Sequence, residues 1–422
     1  MGNEKNYGSR LLAKGVEVSN NTFETNMNNN DLIFGISGCG KTGGYIAPML
    51  QNPTESMVVV DTKNNLVKMF SESLRKKGYK VHLIDFVDPK GSTCGYNPLA
   101  YLRQNGRKGF SEKDLRSLAQ AFVPELDSNE PYWSSAARKY IAMLFCYVLN
   151  RLPKKQQNLR SVIQLHSSIC SDAKAVKEEL EHYCEELPAD KTPGDSFFEG
   201  ICKQVFGLIN SEKTWSCVLD FAGTALSIYD VEEFQHVLSK KKTFDFSMLG
   251  REKTVVFLNT SDMDRTYDNL VNLFYIQMFQ KLEAEAAKNP DGRLQVPVRV
   301  IMDDFASGVV IEDFDKIISV IRSRDISVSL IIQSLSQLDS LYGVGKARTI
   351  INNCDHLLYM GGNDIDTLAY MACRVNKPAA KVGLKPRDKM YLLTTGEPAV
   401  LVDKIPPYST LEPQAEDKGA QM

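Results

Sequence analysis

The chain of 422 residues is too long for one compact core, because single hydrophobic cores stop growing at roughly 250 to 300 residues. Its 43% hydrophobic and 24% charged residues are typical of a globular protein and exclude extensive disorder, collagen-like repeats and a disulfide scaffold. Fifty basic against 52 acidic residues give a net charge of −2, so binding to nucleic acid would require a local basic patch or a ring of subunits.

The composition and the N-terminus indicate an intracellular protein. The longest apolar run, residues 140–149, is shorter than the roughly 18 residues that span a bilayer, and residues 1–15 lack the apolar centre of a secretion signal. Nine cysteines without a Cys-x-x-Cys pair indicate a reducing compartment, and the spacing of the five histidines predicts no Cys/His metal site.

Strand and helix patterns alternate near the start of the chain. Apolar runs at 31–34, 57–61 and 80–86 predict strands, and helical patterns at 41–50 and 64–77 separate them. This alternation is typical of a parallel sheet.

The sequence pattern then changes from alternating strands and helices to helices alone, because runs of β-branched residues almost vanish between residues 106 and 244. We expect an all-helical insertion there, with helices at 112–122, 133–149, 159–170, 173–186, 196–209 and 212–229.

The alternation returns after residue 245. Strands are predicted at 254–258, 298–303, 327–332 and 356–360, with helices between them that include 267–288, and a short helix follows at 365–373. Residues 390–393 and 399–402 predict an antiparallel pair that turns at Gly396. The predicted organisation is an N-terminal segment (1–30), a discontinuous nucleotide-binding domain (31–104 and 246–405), an all-α insertion domain (105–245) and a polar tail (406–422).

Residues 35–42, Gly-Ile-Ser-Gly-Cys-Gly-Lys-Thr, match the phosphate-loop pattern G-x-x-x-x-G-K-[ST] between a predicted strand and a predicted helix. Its glycines let backbone N–H groups surround a polyphosphate, Lys41 reaches the β and γ phosphates, and the Thr42 hydroxyl coordinates Mg²⁺. The alternative is a glycine-rich turn. The predicted nucleotide contacts are Gly35, Ser37, Gly38, Cys39, Gly40, Lys41, Thr42 and Gly43.

Two carboxylates end the predicted strand at 298–303. We expect Asp303 to hold the magnesium side of the site and Asp304 to orient and deprotonate the attacking water. The alternative is that the pair caps the following helix.

Cys39 fills a loop position where backbone N–H groups and Lys41 favour a thiolate. This predicts a lowered thiol pKa, inactivation by a maleimide and protection by Mg-ATP, whereas a packed, buried Cys39 would have an ordinary pKa.

Several segments occur in one order along the chain. MDDFASG at 302–308 is followed by EDFDKIISVIRSRDISVSLIIQSLSQLDSLYG and IINNCDHLLYMGGND, and is preceded by VVVDTKN, YNPL and EPYWSSAARKYIAMLF. This series resembles the type IV secretion coupling proteins of the TraG/TraD kind over residues 30–402. The resemblance implies an α/β fold of the RecA-like P-loop NTPase kind. This fold has a mostly parallel sheet and is interrupted by an all-helical insertion domain.

The resemblance also implies roles for single residues. Gln333 corresponds to the glutamine that senses the γ-phosphate in RecA-like motors. Arg322 corresponds to the arginine finger that enters the neighbouring subunit's site, and Arg324 is its alternative. With Lys41 and Asp304, these residues make the predicted catalytic set, and Thr42 and Asp303 are the predicted Mg²⁺ ligands.

The function that the resemblance implies is ATP hydrolysis, with ATP and Mg²⁺ as cofactors, coupled to the delivery of relaxase-bound single-stranded DNA to a transfer channel. It implies a homo-hexamer with DNA at the ring pore, relaxosome proteins and channel subunits as partners, and a position at the inner face of the bacterial membrane. The alternatives are a double-stranded DNA pump of the FtsK/HerA kind and a nucleotide-dependent docking platform that barely hydrolyses ATP.

The sequence departs from the family pattern in three places. Asp304 stands where Glu is usual, which predicts looser positioning of water. Asp61-Thr-Lys-Asn replaces the usual Asp-Pro-Lys-Gly. The usual membrane-spanning helices are absent from this sequence, so we expect membrane contact through a partner or through helices that were removed.

Overall fold

The structure is a computed structural model, and it describes residues 5, 7–103, 110–123, 131–187, 190–238, 242–261, 263–305 and 310–406. The chain divides into two compact units. The first, here called the sheet unit, comprises Met1–Leu83, Phe246–Asp262 and Phe279–Met422, and the second, the helical unit, comprises Ile84–Asp245 and Met263–Met278. The predicted bounds of the insertion, 105 and 245, stay a prediction, and the first of them lies outside the described residues.

Eleven strands lie within the described residues. In chain order they are β1 (Ser9–Ala13), β2 (Val16–Ser19), β3 (Asp31–Gly35), β4 (Ser56–Val60), β5 (Lys80–Asp85), β6 (Thr254–Asn259), β7 (Val298–Met302), β8 (Ile326–Ile332), β9 (His356–Gly361), β10 (Lys389–Thr394) and β11 (Val400–Asp403).

The helices of the described residues are, in chain order, α1 (Thr22–Thr25), α2 (Ala47–Gln51), α3 (Leu66–Lys76), α4 (Glu112–Phe122), α5 (Pro131–Arg151), α6 (Leu159–Ser171), α7 (Ala173–Glu185), α8 (Pro193–Ile209), α9 (Glu212–Ser227), α10 (Glu232–Leu238), α11 (Ser247–Arg251), α12 (Asp268–Ala286), α13 (Phe314–Val320), α14 (Leu335–Tyr342), α15 (Val344–Asn352), α16 (Ile365–Val375) and α17 (Ala379–Gly383). None of these helices combines the length and the apolar character that crossing a bilayer requires.

Nine of the described strands form one sheet in the order β11-β10-β9-β3-β8-β7-β4-β6-β5. The six strands from β9 to β6 pair in parallel, and β10 and β11 add an antiparallel pair at one edge. The mostly parallel sheet and the antiparallel pair are confirmed, and the predicted strands end within one residue of the observed ones.

The central strands are buried along their whole length, as strands of a parallel sheet covered on both faces must be. Every residue of β3, β4 and β7 is buried, and side chains on one face of these strands pack into one core, among them Ile33, Met57, Val59 and Ile301. The predicted helix at 41–50 is a π-helical turn over Thr42–Ile46 that continues into α2.

The hairpin of β1 and β2 was not predicted. The two strands are short, and β2 shows no alternation of buried and exposed residues, so the pattern that identifies a half-buried strand is missing. Gly15, with φ of 73°, lies in the turn between them. Residues 7–30, which fall in the predicted N-terminal segment, therefore contribute structure to the sheet unit.

The helical unit is organised around α5, whose residues Tyr140 to Val148 are all buried. Phe122 of α4 meets Phe145 edge-on at 5.4 Å between ring centroids, and Tyr140 meets Trp215 of α9 at 5.5 Å. Aromatic pairs of this geometry contribute about 0.5–1.5 kcal/mol beyond their buried area. The predicted helices of this region are present at the predicted places.

The YNPL segment has a structural role in the helical unit. The hydroxyl of the buried Tyr96 donates to Gln277 Oε1 at 2.7 Å, and Gln277 Nε2 donates to the Pro98 carbonyl at 2.9 Å. Two residues of the segment are thereby held to α12.

A cluster of buried charges lies at the amino-terminal ends of the sheet unit's strands. Arg10 of β1 grips the carboxylate of Asp31, the first residue of β3, through Nε at 2.9 Å and Nη2 at 2.8 Å. Arg299 of β7 contacts the same carboxylate at 3.2 Å and donates from Nε to Glu55 at 2.5 Å. All four side chains are buried, so each charge depends on its partners to offset the loss of water.

The π-helical turn Thr42–Ile46, which follows the phosphate loop, is connected to this cluster by hydrogen bonds. The hydroxyl of Tyr45 donates to Asp31 at 2.6 Å and lies 2.8 Å from the Ser329 hydroxyl. His356, at the start of β9, lies 3.1 Å from an Arg10 nitrogen through Nδ1. Burial lowers the pKa of His356, although Asp31 opposes the shift.

Stability is expected to depend on pH through Asp31. Burial alone would raise the pKa of this carboxyl, but Arg10 and Arg299 outweigh it and lower the pKa to about 2. Because an unfolded aspartate titrates near 3.9, the folded chain gains about 2–3 kcal/mol above that pH and loses it as the pH falls toward 2.

Asp31→Asn should therefore lower the free energy of unfolding at pH 7 by about 3–5 kcal/mol, because it leaves two buried arginines short of charge. It should also flatten the loss of stability between pH 4 and pH 2. Urea unfolding of the two chains across this range checks both effects, with exposed Glu397→Gln as the control. An unchanged acid limb in Asp31→Asn would show that other carboxylates determine it.

Candidate functional site

The phosphate loop leaves the carboxyl end of β3, between β9 and β8. Gly38 and Gly40 have φ of 76° and 94°, a backbone conformation that favours glycine. A Cβ on Gly35 would lie 2.5 Å from the Cys39 sulfur, so this position also has no room for a side chain. Strand, glycine turn and helical start are arranged as the sequence pattern requires.

Lys41 folds back across the loop. Its side chain is buried, and Nζ donates to the Gly35 carbonyl at 2.9 Å and to Asp304 Oδ1 at 3.3 Å. The ammonium group is thus held between the start of the loop and the end of β7, where it faces the acidic pair.

The acidic pair follows β7 directly. Asp304 has φ of 52°, the left-handed conformation that aspartate and asparagine adopt more readily than most residues, and its N–H donates to Asp303 Oδ1 at 3.1 Å. Burial, followed by repulsion from Asp304, raises the pKa of Asp303 to about 6. The turn thus holds two carboxylates side by side next to one lysine.

Gln333 follows β8, the strand between β3 and β7. Its Nε2 donates to Asp304 Oδ1 at 3.3 Å, the same oxygen that accepts from Lys41. The structure therefore brings three of the four predicted catalytic residues together at one carboxylate oxygen.

The donor set suits Mg²⁺. The Thr42 side chain is exposed at the start of the π-helical turn, and Asp303 is partly buried at the end of β7. Hydroxyl and carboxylate oxygens are ligands that Mg²⁺ prefers, and this ion usually takes one or two protein carboxylates with phosphates and water. Among the described residues, no group of three or more His, Cys, Asp or Glu is arranged to bind a metal ion, so a closed protein cage for a metal is not seen in them.

Arg322 and Arg324 lie at the opposite end of the strands from the phosphate loop. They precede β8, whereas the phosphate loop follows β3, and these two strands run parallel with Asp31 opposite Ser329. A seven-residue strand spans about 23 Å, so neither arginine reaches the phosphate loop of its own chain. An arginine finger from this end of the strands requires a second copy of the chain.

The two arginines differ in their partners. Arg324 pairs with Glu283 at 3.0 Å and donates to the Ser323 hydroxyl at 2.6 Å. Arg322 is exposed, and its Nη2 donates to the Thr22 carbonyl at 3.5 Å. Arg322 thus has the freer charge, which supports its assignment as the finger.

The prediction of a lowered thiol pKa at Cys39 is wrong. Burial raises the pKa of this thiol above its ordinary value, despite the opposing influence of Lys404 and Lys41. The sulfur packs against Gly35 beneath the loop, where loss of water outweighs the nearby positive charges. We therefore expect Cys39 to react slowly with a maleimide.

Two lysines next to the loop were missed. Lys404, after β11, donates from Nζ to the Cys39 carbonyl at 3.1 Å, and Lys385 donates to the Met360 carbonyl at 2.7 Å. Both belong to segments without a nucleotide-binding motif, so only the strand order β11-β10-β9-β3 reveals their position.

Other segments that carry the family resemblance have structural roles here. Asp61 accepts from the backbone N–H groups of Asn65 and Val67 at 3.1 Å and so caps the start of α3. In the IIQSLSQLDSLYG segment, Ser334 caps α14 and Ser336 donates to Asp364 at 2.7 Å.

The structure resembles solved structures of the plasmid coupling protein TrwB and of VirB4. TrwB in complex with the non-hydrolysable ATP analogue ADPNP matches with a TM-score of 0.65 and 16% identity over 94% of this chain and 89% of that one. TrwB in complex with ADP and Mg²⁺ matches with a TM-score of 0.63, 16% identity and the same coverage. VirB4 of Thermoanaerobacter pseudethanolicus matches with a TM-score of 0.59 and 11% identity over 96% and 99% of the two chains. These likenesses establish the α/β, RecA-like P-loop NTPase fold.

Among curated protein sequences, none matches this chain significantly. The family profile described as type IV secretory system conjugative DNA transfer matches residues 5–381, which include the phosphate loop, the acidic pair, Gln333 and both arginines. A match over most of the chain shows that this protein belongs to the type IV secretory system conjugative DNA transfer family.

Proposed function

We propose that the protein is an ATP-hydrolysing coupling protein that delivers relaxase-bound single-stranded DNA to a conjugative channel. The observation that carries this proposal is the convergence of Lys41 and Gln333 on Asp304 at the mouth of a phosphate loop. The TrwB complexes with ADPNP and with ADP and Mg²⁺ support ATP and Mg²⁺ as the ligands of this site.

Each residue has a distinct task in this mechanism. The loop's N–H groups and Lys41 bind the β and γ phosphates, and Thr42 and Asp303 hold Mg²⁺, which neutralises charge on the phosphate oxygens. Asp304 orients the attacking water and accepts its proton, and Gln333 lies where it can respond to the γ-phosphate. When ATP arrives, its phosphates compete with Asp304 for Lys41, which frees that carboxylate to bind water.

The proposed assembly is a homo-hexamer in which Arg322 completes the neighbouring site and single-stranded DNA occupies the pore. The position of Arg322 at the end of the strands opposite the phosphate loop supports action between subunits. We further propose relaxosome proteins and channel subunits as partners, at the inner face of the cell membrane.

Single-stranded DNA is expected to stimulate ATP hydrolysis, and turnover per chain should rise with protein concentration because each site needs two chains. Turnover should be measured without DNA, with a single strand and with the matching duplex, over a series of protein concentrations. Lys41→Ala serves as the control for contaminating ATPase.

Two outcomes would favour other functions. Stronger stimulation by the duplex would support a double-stranded DNA pump. ATP binding without measurable turnover under every condition would support a docking platform and contradict the motor.

A further inference from the structure

The antiparallel edge of the sheet reaches the phosphate loop. β11 runs in the direction of β9 and β3, because β10 is antiparallel to both of its neighbours, so β11 ends at the edge where the loop begins. Lys404 is the next residue, and its N–H donates to the Asp388 carbonyl at 2.7 Å, which fixes its backbone.

The loop is held from this side at three points. The Ile36 N–H donates to the Gly361 carbonyl at 3.2 Å, and the Cys39 carbonyl accepts from Lys404 Nζ at 3.1 Å. At the third point, a Cβ on Gly44 would lie 3.0 Å from the Ile405 carbonyl, so the chain after β11 packs directly on the loop helix.

Two positive charges lie close together here, and the nearby Asp388 offsets them only in part. Lys404 and Lys385 are half-buried, and in the part of the chain that the structure describes both ammonium groups donate to carbonyl oxygens and neither pairs with a carboxylate. Burial, followed by repulsion from Lys404, lowers the pKa of Lys385 to about 8, and burial also lowers the pKa of Lys404. An anion at the loop would relieve this cost, which indicates that the arrangement favours bound phosphate.

The contact with Cys39 acts on a single peptide unit. The Cys39 carbonyl and the Gly40 N–H belong to the same planar trans peptide and point in opposite directions. A charged donor on the carbonyl polarises the peptide and makes its N–H a stronger donor on the other side. That N–H is one of the loop groups that surround a bound phosphate.

We propose that Lys404 is a positioning residue of the phosphate loop, which strengthens phosphate binding through the Cys39–Gly40 peptide without touching the nucleotide. This inference rests on the proposed binding of nucleotide and adds the chain after β11 to the machinery of the site.

The test compares three variants in nucleotide binding, without any need for hydrolysis. Lys404→Met should bind a fluorescent ADP with Mg²⁺ about tenfold more weakly than the unaltered chain. Lys404→Arg, which restores a charged donor, should recover affinity to within about threefold. Lys381→Met, which removes an exposed lysine of α17, should leave affinity unchanged. Melting temperatures without nucleotide should agree among all four proteins.

The outcomes separate the two levels of the argument. If the unaltered chain binds no nucleotide, the proposed function fails and this inference fails with it. If the unaltered chain binds and Lys404→Met binds equally well, only the role of Lys404 is wrong. If Lys404→Met and Lys404→Arg lose affinity and melting temperature together, Lys404 is a structural tie of the hairpin, and the positioning role is overturned.

Discussion

Lys41→Ala is expected to abolish nucleotide binding and, with it, turnover. The ammonium group is buried between the loop and the acidic pair, and a bound polyphosphate would lose a positioned, partly desolvated cation. Charge-assisted hydrogen bonds contribute about 1.5–3 kcal/mol each, so the loss of two corresponds to at least about a hundredfold in affinity. Isothermal titration with ADP and Mg²⁺ measures this directly.

Lys381→Ala is the matched control, because it removes a lysine of the same unit from the exposed surface of α17. Affinity close to that of the unaltered chain in Lys41→Ala would show that the loop does not bind phosphate through Lys41. The site assignment would then be wrong.

Arg322→Ala and Asp304→Asn are each expected to bind nucleotide and to lose turnover, and a mixture of the two should recover part of it. The sheet places Arg322 and the phosphate loop at opposite ends of its strands, so in the proposed mechanism each complete site would combine Asp304 from one chain with Arg322 from another. In a mixed ring, some interfaces join an intact Asp304 to an intact Arg322. Arginine fingers contribute about a thousandfold or more to turnover, so even modest recovery stands well above the single variants.

Arg324→Ala is the control for the finger. Because Arg324 already pairs with Glu283, its loss should change turnover little. Absence of recovery in rings shown to be mixed would contradict action between subunits. Loss of turnover in Arg324→Ala with normal turnover in Arg322→Ala would reassign the finger.

The backbone conformation at Asp304 bears on whether glutamate would serve better at this position. The usual residue is glutamate, and its extra methylene suggests that Asp304→Glu would improve the reach to water. In the structure, however, this residue has φ of 52°, which asparagine and aspartate tolerate better than glutamate. The strain opposes the gain in reach, so we do not expect Asp304→Glu to raise turnover.

Sequence patterns predicted the parts of the fold whose signal is local. The phosphate loop, the strand that precedes Asp303 and the helices of the helical unit each carry their own periodicity or motif. The hairpin of β1 and β2 was not predicted because its strands are short and one of its partners, His356, lies far along the chain.

The site residues could be predicted only where a motif or a residue type at the end of a strand indicates a chemical role. Lys41, Asp304 and Gln333 follow buried strands whose carboxyl ends share one edge of the sheet, and so parallel pairing brings them together. Lys404 follows β11, the outermost strand of the sheet. It lies close to the phosphate loop only because β10 runs antiparallel to both β9 and β11. The pKa of Cys39 depends on burial under the loop, which residue order does not reveal.

The buried cluster around Asp31 has a consequence for how this chain can vary among relatives. The cluster is built from four separate segments, which contribute Arg10, Asp31, Glu55 and Arg299. Each of these charges is buried away from water and depends on an opposite charge from another segment. Replacing one of the four leaves a buried charge without its partner and lowers the free energy of unfolding by about 3–5 kcal/mol. Replacing the whole set by apolar residues of similar volume changes stability little. Related chains should therefore inherit these four positions together or exchange them together, and intermediates with one arginine missing should be rare. A survey of such combinations would identify which relatives seat their N-terminal hairpin in the same way.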